Sequence, residues 1–466
     1  MRKLLFLIVL LFEGFISVAQ NPVLWGIMRI GGSLGQGTIY RINGDGSNFT
    51  VVHAMGAGSS QGSLVLHPNG SFYGLTVAGG GSANGTIFKY DPVGNTYTTL
   101  FSFSNSVGYY PRASLFLAND GNFYGMTSQG GLSNQGTFFQ FNPVTISFNK
   151  IMDFGLNNGN LPNGNVVQSG NKIYGMTTNG GSSPLAGGVI FSYDIITNQY
   201  FVVHNFLFAT GYTPFGSLIK GTNGLLYGMA FGGGATGNGV IFSLDPSNNN
   251  YSVLHDFDGV NGAAPNGALV QSGSSNVFYG FTQQGGTNNK GVIFSFDISG
   301  NNYSKLYDFD VASGSSPNGS PIIASNGKIY GHASSGGANS LGTTFSFDPV
   351  SNNFNVLYSG SFTNGGSPDG DLIEFNVPLA VNELVSESTI NFFPNPVTSE
   401  LYVDLSAFNG QQLFISIISL EGKLVSASKM TASPDFSLPV NGLAKGSYTI
   451  RIETESQIIY KKFMKI

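Results

Sequence analysis

Apolar and aromatic residues occur in short runs along this chain, and the same order of runs returns about every 51 residues. In the copy from Gly62 to Phe103, a short apolar run is followed by a turn, the aromatic run Phe72 to Thr76, a glycine-rich loop and two more aromatic-rich runs. Each run has the usual length of a strand and is too short for a typical helix. The pattern predicts four short strands in each copy.

The most regular feature of the repeat is an aromatic residue followed by glycine in the second run, with a glycine pair a few residues later. The aromatic residues of the seven copies are Trp25, Tyr73, Tyr124, Tyr174, Tyr227, Tyr279 and Tyr330. Repeats on this scale indicate one structural unit that packs against copies of itself.

Tight turns separate the first and second runs. Asn69-Gly70, Asp120-Gly121 and Asn223-Gly224 lie at this place in three copies, and such dipeptides favour two-residue hairpins between antiparallel strands. A parallel β-helix fits less well, because its coils are shorter and stack in one direction. The sequence therefore predicts an all-β protein with a seven-bladed β-propeller at residues 21–378.

The two ends of the repeat array complement each other. The first copy begins at the second strand, Val23 to Met28, whereas the last ends after a lone first strand, Asp371 to Phe375. We predict that these terminal strands pair by ladder hydrogen bonds and complete the seventh blade.

Composition supports a turn-rich β structure with an aromatic core. Of 466 residues, 67 are Gly, 39 Phe and 21 Tyr, and 9% are charged. A net charge of -5 without a basic run argues against binding to nucleic acid. The absence of cysteine excludes disulfides, a thiolate nucleophile and a cysteine-ligated metal.

The N-terminal segment has the pattern of an export signal. Arg2 and Lys3 precede the apolar run Leu4 to Phe12 and the small-residue segment Ser17 to Ala19. The apolar run is shorter than the ~20 residues that a spanning helix needs. We predict a signal peptide at residues 1–19 and no transmembrane segment in the mature chain.

The repeat disappears near Val381, and charged residues become more frequent. Alternating apolar and polar runs such as Leu401 to Leu405 and Gly446 to Ile452 follow, and the chain ends in a basic segment. We predict a linker and a small Ig-like β-sandwich at residues 379–466.

Two family resemblances follow from these motifs. Tyr-Gly-Met-Thr, Gly-Gly, Gly-Thr-Ile-Phe, Asp-Pro and Pro-Asn-Gly together resemble the GloVer tandem repeat of exported bacterial proteins and, more distantly, kelch propellers. The C-terminal stretch resembles the sorting domain of the type IX secretion system of Bacteroidota. That resemblance implies recognition by the type IX secretion machinery and a secreted or cell-surface location. The residues that carry it are Phe393, Pro394, Asn395, Pro396, Gly446, Tyr448, Lys461, Lys462 and Lys465.

The long loops after the second and fourth strands are expected on one face of the propeller, where binding residues are commonly found. Tyr109, Tyr110 and Tyr212 in these loops are candidates for stacking on sugar rings or anchoring a protein partner; packing within the loops is the alternative. His332 is a further candidate ligand-binding residue, because apolar residues fill its position in the other copies. Interior packing is the alternative for His332 too.

A calcium site is a further hypothesis. Asp256 and Asp258, and Asp308 and Asp310, lie at equivalent strand ends in neighbouring copies. Carboxylates two residues apart point to the same side of a strand and supply the oxygen ligands that calcium prefers. Capping of loops by aspartate is the alternative, and we expect no other cofactor.

These observations favour an exported, non-catalytic propeller that binds a glycan or a cell-surface partner through its long-loop face. Apparent catalytic motifs such as Gly31 to Gly35 lie in the paired-glycine loops, without the strand-to-helix context that their chemistry requires, so we assign no catalytic residue. The alternative is a polysaccharide-acting hydrolase or lyase with its site over the channel, near His332 or the aspartate group. A calcium-stabilised adhesin is a third hypothesis.

Overall fold

The structure is a computed structural model, which describes residues 21–56, 58–182, 187–376, 392–419, 424–433, 435–453 and 458–466. The chain divides into two compact units, one ending at residue 376 and one beginning at residue 377. The predicted signal peptide and most of the predicted linker lie outside the described residues. Within the described ranges, no helix has both the length and the apolar character required to cross a membrane.

The first unit contains seven antiparallel sheets of four strands each, counted over the part of the chain just defined. The first strands of the sheets are β4 (Val65–Leu66), β8 (Phe116–Leu117), β12 (Val167–Ser169), β16 (Ile219–Lys220), β20 (Val270–Gln271), β24 (Ser315–Ile323) and β28 (Ile373–Glu374). The second strands are β1 (Val23–Met28), β5 (Phe72–Thr76), β9 (Phe123–Thr127), β13 (Lys172–Thr177), β17 (Leu226–Ala230), β21 (Val277–Thr282) and β25 (Ile329–Ser335). The third strands are β2 (Thr38–Asn43), β6 (Thr86–Asp91), β10 (Thr137–Asn142), β14 (Val189–Asp194), β18 (Val240–Leu244), β22 (Val292–Asp297) and β26 (Thr343–Asp348). The fourth strands are β3 (Thr50–Ala54), β7 (Thr96–Ser102), β11 (Ser147–Asp153), β15 (Gln199–Asn205), β19 (Tyr251–Asp256), β23 (Asn302–Asp308) and β27 (Asn353–Ser359).

The hydrophobic core of the first unit lies between successive sheets. One cluster joins Tyr73 and Phe103 of one copy to Phe123 and Phe139 of the next. The second strand β9 is buried along its whole length, whereas the fourth strand β11 is at most half-buried. Each sheet therefore gains most of its apolar burial by packing against its neighbours.

The glycine of the aromatic-glycine motif makes room for an aromatic ring of the third strand. A Cβ atom on Gly125 would lie 2.5 Å from Cζ of Phe139, and one on Gly74 would lie 2.4 Å from Cζ of Phe88. No side chain fits beneath the ring at such distances, because atoms in a packed core already touch. This packing explains why glycine recurs at this position.

The first and last copies share a sheet, as the sequence predicts. β1 pairs with β28 in antiparallel register, with Leu24 opposite Glu374 and Trp25 opposite Ile373. The Trp25 indole N–H also donates a 2.8 Å hydrogen bond to the carbonyl oxygen of Phe375.

Successive fourth strands are joined by stacked rings. Six pairs have ring centroids 3.8–4.4 Å apart and nearly parallel planes: His53–Tyr97, Phe101–Phe148, His204–Tyr251, His255–Tyr303, Tyr307–Phe354 and Tyr358–Phe49. The last pair links the final copy to the first. The three histidines therefore pack between sheets, consistent with their exchange with aromatic residues in other copies.

The second unit contains two antiparallel sheets. One has three strands, β29 (Phe392–Phe393), β30 (Glu400–Asp404) and β33 (Asp435–Pro439), and the other has four, β31 (Gln412–Ser419), β32 (Leu424–Thr431), β34 (Gly446–Glu453) and β35 (Ile458–Lys465). One hydrophobic cluster contains Leu401 and Val403 of the first sheet and Ile415 and Ile450 of the second.

Candidate functional site

A polar cavity of about 280 Å³ lies where the first strands begin. Six copies contribute a short segment just before the first strand, and the remaining copy contributes residues within its first strand β24. The residue that precedes the glycine or alanine of each segment lines the cavity. We call these residues the rim: Gln61, Arg112, Asn163, Phe215, Asn266, Asn318 and Asp369. Because the segments follow the connectors from the fourth strands, the cavity and these connectors belong to the same side of the sheets.

Glycine follows most rim residues because the backbones of neighbouring copies approach closely there. A Cβ atom on Gly164 would lie 1.9 Å from the carbonyl oxygen of Gly216, and one on Gly216 would lie 2.2 Å from that of Gly267. The glycines thus allow the segments to form a tight wall around the cavity.

Hydrogen bonds between copies hold the wall together. The residue after the glycine or alanine donates its backbone N–H to the side chain at the same position of the next copy, at 2.5–3.0 Å. The six donor and acceptor pairs are Ser63–Ser114, Ser114–Asn165, Asn165–Ser217, Ala268–Ser320, Ser320–Asp371 and Asp371–Ser63. The link from Ser217 is absent because its acceptor would be Ala268, which has no polar side-chain atom.

These bonds also explain a difference from the predicted strand length. The apolar run that begins at Ser63 predicts a first strand over residues 63–66, but β4 contains only Val65 and Leu66. The Ser63 N–H is directed to Ser114 Oγ of the next copy rather than to a strand partner.

Part of the rim is linked by its own hydrogen bonds. The Asn266 amide donates to Asn318 at 2.5 Å, and the Asn318 amide donates to Asp369 at 3.0 Å. Arg29 forms a 2.9 Å ion pair with Asp369. Burial raises the pKa of Asp369, although Arg29 and Asn318 oppose this shift.

Asp371 is a second carboxylate in the cavity wall. Its carboxylate accepts the Ser320 N–H at 2.5 Å, and its own N–H donates to Ser63 Oγ at 2.7 Å. Burial raises the pKa of Asp371, and the hydrogen bonds from Ser320 and Ser63 oppose the shift.

His332 lies in the interior rather than on the cavity surface. It is 1% exposed, and its Nε2 and Nδ1 atoms lie 2.7 Å from Tyr40 Oη and 2.6 Å from the carbonyl oxygen of Gly370. The carbonyl can only accept, so Nδ1–H donates to Gly370 and Nε2 accepts from Tyr40. Burial lowers the pKa of His332 to about 4. This environment fits interior packing, in which His332 supports the wall residue Gly370 from behind.

The three candidate tyrosines lie on connectors that join a fourth strand to the next first strand. Tyr109 donates from its hydroxyl to Asn134 at 2.9 Å and packs 5.2 Å from Tyr110, which is 39% exposed. Tyr212 is half-buried, with its ring 6.1 Å from that of Phe208. The connector with Tyr109 and Tyr110 leads directly to the rim residue Arg112, and that of Tyr212 leads to Phe215.

Asp256 and Asp308 receive hydrogen bonds from the paired-glycine loops. Asp256 accepts from Ala235 N–H at 2.7 Å, and Asp308 accepts from Thr287 N–H at 2.8 Å. Lys305 also pairs with Asp308 at 2.9 Å. Burial raises the pKa of Asp308, but Lys305 and Thr287 outweigh burial and hold it below the ordinary value.

Asp258 and Asp310 cap the connectors that follow. They accept backbone N–H bonds from Asn261 and Ser313, each at 2.7 Å. The hydrogen bonds of Ser313 lower the pKa of Asp310. Burial raises that of Asp258, but the bonds from Asn261 outweigh it and the net shift is downward. No group of three or more His, Asp or Glu side chains in the described ranges is arranged to hold a metal, and the calcium site stays a prediction.

The rim residues are not predicted as a binding site from the sequence. The signal of the rim is the segment Pro-x-Gly before the first strand, in which x is Asn in Pro162-Asn163-Gly164 but Phe in Pro214-Phe215-Gly216 and Asp in Pro368-Asp369-Gly370. The residue type thus varies at one position of an otherwise regular repeat.

The sorting-motif residues lie in two places of the second unit. In the first, Phe393 is 56% exposed, Pro394 and Pro396 are exposed, and Asn395 Oδ1 accepts the Met464 N–H at 2.9 Å. The second place comprises the strands β34 and β35. Gly446 begins β34, and the buried Tyr448 donates from its hydroxyl to the Ala444 carbonyl at 3.0 Å. On β35, Lys461 is half-buried, Lys462 is exposed, and Lys465 Nζ donates to the Ile466 carbonyl at 2.7 Å.

Two protein-family models match the chain. The Gloeobacter/Verrucomicrobia repeat matches residues 14–230 and 186–380, and the secretion system C-terminal sorting domain matches residues 391–466. The predicted resemblances to the GloVer repeat and to the sorting domain are thereby confirmed. No curated protein matches this chain.

Solved structures resemble the fold at low sequence identity. A quinonprotein alcohol dehydrogenase-like protein from Bacteroides thetaiotaomicron has a TM-score of 0.50 and 12% identity, covering 77% of this chain and 79% of that one. A putative 6-phosphogluconolactonase from Bacteroides fragilis has a TM-score of 0.48 and 13% identity, covering 77% and 99%. TolB from Acinetobacter baumannii has a TM-score of 0.40 and 13% identity, covering 60% of this chain and 62% of its own. The first of these likenesses concerns the fold alone, which is all-β and propeller-like.

Proposed function

This chain belongs to the Gloeobacter/Verrucomicrobia repeat family, and we propose that it is a seven-bladed β-propeller that binds a glycan at the cavity on its long-loop face. The C-terminal sorting domain indicates a secreted or cell-surface protein that interacts with the type IX secretion machinery. The proposed domain organisation is a signal peptide at residues 1–19, the propeller at 21–378, and a linker with an Ig-like sandwich at 379–466.

The lining of the cavity is the observation that carries this proposal. Amide side chains, one aromatic ring and one exposed guanidinium lie around a space of about 280 Å³. Amides and guanidinium groups match the hydroxyl and carboxylate groups of sugars, and an aromatic ring matches the apolar face of a pyranose. The space is near the lower end of the ~300–1,000 Å³ typical of ligand pockets, so a small part of a glycan suits it.

Several features favour binding over catalysis. His332 is enclosed, and the four candidate aspartates cap loops. One observation does favour the alternative of a polysaccharide hydrolase or lyase: the carboxyl groups of Asp369 and Asp371 in the cavity wall have raised pKa values, a property common among catalytic acids.

A glycan array tests the proposal directly. The chain from residue 21 to 466 should bind a restricted set of glycans, and an Asn163→Leu variant should lose binding because its rim amide is removed. Products should not accumulate when bound glycans are incubated with the protein. Release of shortened or unsaturated products that stops in an Asp369→Asn variant would support the enzyme instead, and the lack of binding to any glycan would contradict the proposal.

A further inference from the structure

The rim of the cavity has two chemically different halves. Asn266, Asn318 and Asp369 follow one another in the order of copies and are linked by side-chain hydrogen bonds, with Arg29 paired to Asp369. We call these three residues the linked half. The polar groups of the linked half bind largely to one another, so a ligand gains little by replacing those bonds.

The other rim residues form the open half: Gln61, Arg112, Asn163 and Phe215. Within the described residues, the side chains of Gln61 and Arg112 have no hydrogen-bond or ion-pair partner, and Arg112 is exposed. The Asn163 amide nitrogen donates to the Leu161 carbonyl and to Thr178 Oγ1, which leaves its oxygen to accept from a ligand. The open half therefore offers donors and an acceptor that nothing in the protein occupies.

The open half carries a positive charge that no acidic side chain among the described residues neutralises. Arg29 and Asp369 neutralise one another, and the Asp371 carboxylate accepts the Ser320 N–H while burial raises its pKa. The Arg112 guanidinium is the one cation of the described cavity lining without an acidic partner. A guanidinium presents two parallel N–H donors, which match a carboxylate better than they match single hydroxyl groups.

An apolar surface lies two rim positions from Arg112. Phe215 lines the cavity and is held by an edge-to-face contact with Phe231, with ring centroids 5.1 Å apart. An aromatic ring fixed in this way can pack against the C–H face of a sugar. A simple inorganic anion would gain nothing from Phe215, whereas a sugar with a carboxylate uses both groups.

We propose that the open half binds an acidic sugar, with Arg112 paired to the carboxylate of a uronic acid at the end of a glycan and Phe215 against its ring. This inference rests on the proposed function and specifies its ligand class.

The experiment compares two oligosaccharides that differ only at the non-reducing end, one ending in glucuronic acid and one in glucose, with acetate as a third probe. Isothermal titration of the chain from residue 21 to 466 should show preference for the glucuronic acid end. Arg112→Gln should weaken that binding by about tenfold or more, equivalent to ~1.4 kcal/mol, and should leave the glucose-ended compound unaffected. Arg112→Lys should recover part of the loss, because lysine keeps the charge without the paired donors.

Arg41→Gln is the matched control, because Arg41 is also exposed but lies on β2 outside the cavity lining. Equal binding of both oligosaccharides, or equal loss of both in Arg112→Gln, would overturn the acidic-sugar inference while the proposed glycan binding stands. Binding of acetate as tight as that of the glucuronic acid end would also overturn it. Failure to bind any glycan, including those of the array, would remove both proposals.

Discussion

His332 is a single residue whose protonation is coupled to folding. Its ring connects Tyr40 to the Gly370 carbonyl behind the cavity wall. Protonation would place a second N–H against the Tyr40 hydroxyl and a charge in a buried site. The neutral ring is therefore the form that the fold accommodates.

We expect the contribution of His332 to fall in acid. Its pKa is about 4 in the folded chain and 6.5 in the reference state, so its contribution is complete above pH 6.5 and is lost as pH falls towards 4, by up to about 3 kcal/mol. In urea unfolding at pH 7 and pH 4.5, His332→Met should show a smaller loss of stability with acid than the unmodified chain does. The pKa of Asp371 is raised rather than lowered, so Asp371 gives the opposite pH dependence. The effect of His332 is therefore measured as the difference between His332→Met and the unmodified chain.

Phe281→Met is the control for this measurement, because Phe281 occupies the equivalent position of the preceding copy and does not titrate. Its stability should depend on pH as that of the unmodified chain does. An identical acid dependence in His332→Met and the unmodified chain would contradict the role assigned to His332.

At the scale of single strands, the aromatic-glycine motif is a packing device. Gly125 in β9 lies beneath the ring of Phe139 in β10, and the same arrangement recurs at Gly74 with Phe88 and at Gly280 with Phe294. The ring closes over the backbone and excludes water from the ladder between second and third strands. The glycine and an aromatic residue of the third strand therefore act as a pair, with phenylalanine in six copies and Tyr40 in the first.

We predict that Gly125→Ala destabilises the first unit by about 1–3 kcal/mol, because the added methyl group overlaps Phe139 and overpacking has a cost of this size. Thermal unfolding followed by circular dichroism measures the change. Gly81→Ala is the matched control, since a Cβ atom there meets nothing within 4 Å, and it should leave the melting temperature unchanged or slightly raised. Equal effects of the two substitutions would show that ring packing is not the cause.

At the scale of the whole molecule, three sets of contacts join the C-terminal end of the repeat array to its first two copies. β28 pairs with β1, Tyr358 stacks on Phe49 at 3.8 Å, and Asp371 donates to Ser63 at 2.7 Å. Equivalent contacts join neighbouring copies elsewhere, so the junction of the two ends uses the same chemistry as the rest of the first unit. The proposed propeller is closed by these contacts.

Trp25 reports on this junction, because it is the single tryptophan of the chain, is 1% exposed and lies opposite Ile373. Leu372→Ala leaves a cavity beside Gly26 and should cost about 2–5 kcal/mol. In denaturant titrations, Trp25 emission of this variant should shift to the red before circular dichroism changes. Leu269→Ala alters the equivalent position of an internal copy and should show coincident transitions; coincident transitions in both variants would mean that the junction does not open separately.

The repeated strand order and the two family-model matches were predictable from sequence, because each depends on local patterns. The pairing of the terminal strands was predictable because the first copy lacks a first strand and the last ends after one. Short apolar runs and aromatic-glycine motifs recur in every copy, and turn dipeptides such as Asn-Gly recur in several of them. The location of the candidate tyrosines between strands follows from the same patterns, and their role in binding stays a prediction. The sequence did not decide whether His332 lies in the interior or binds a ligand, because histidine suits both kinds of site.

By itself, the sequence determined an exported all-β chain of repeated four-stranded units followed by a sorting domain, since short-range patterning specifies strands, turns and targeting segments. The tertiary structure alone decided which residues meet around the cavity. Rim residues such as Arg112 and Phe215 stand about a hundred residues apart and come together only because successive sheets pack around a common space. No local pattern encodes that proximity; it follows from the hydrogen bonds and stacked rings between copies.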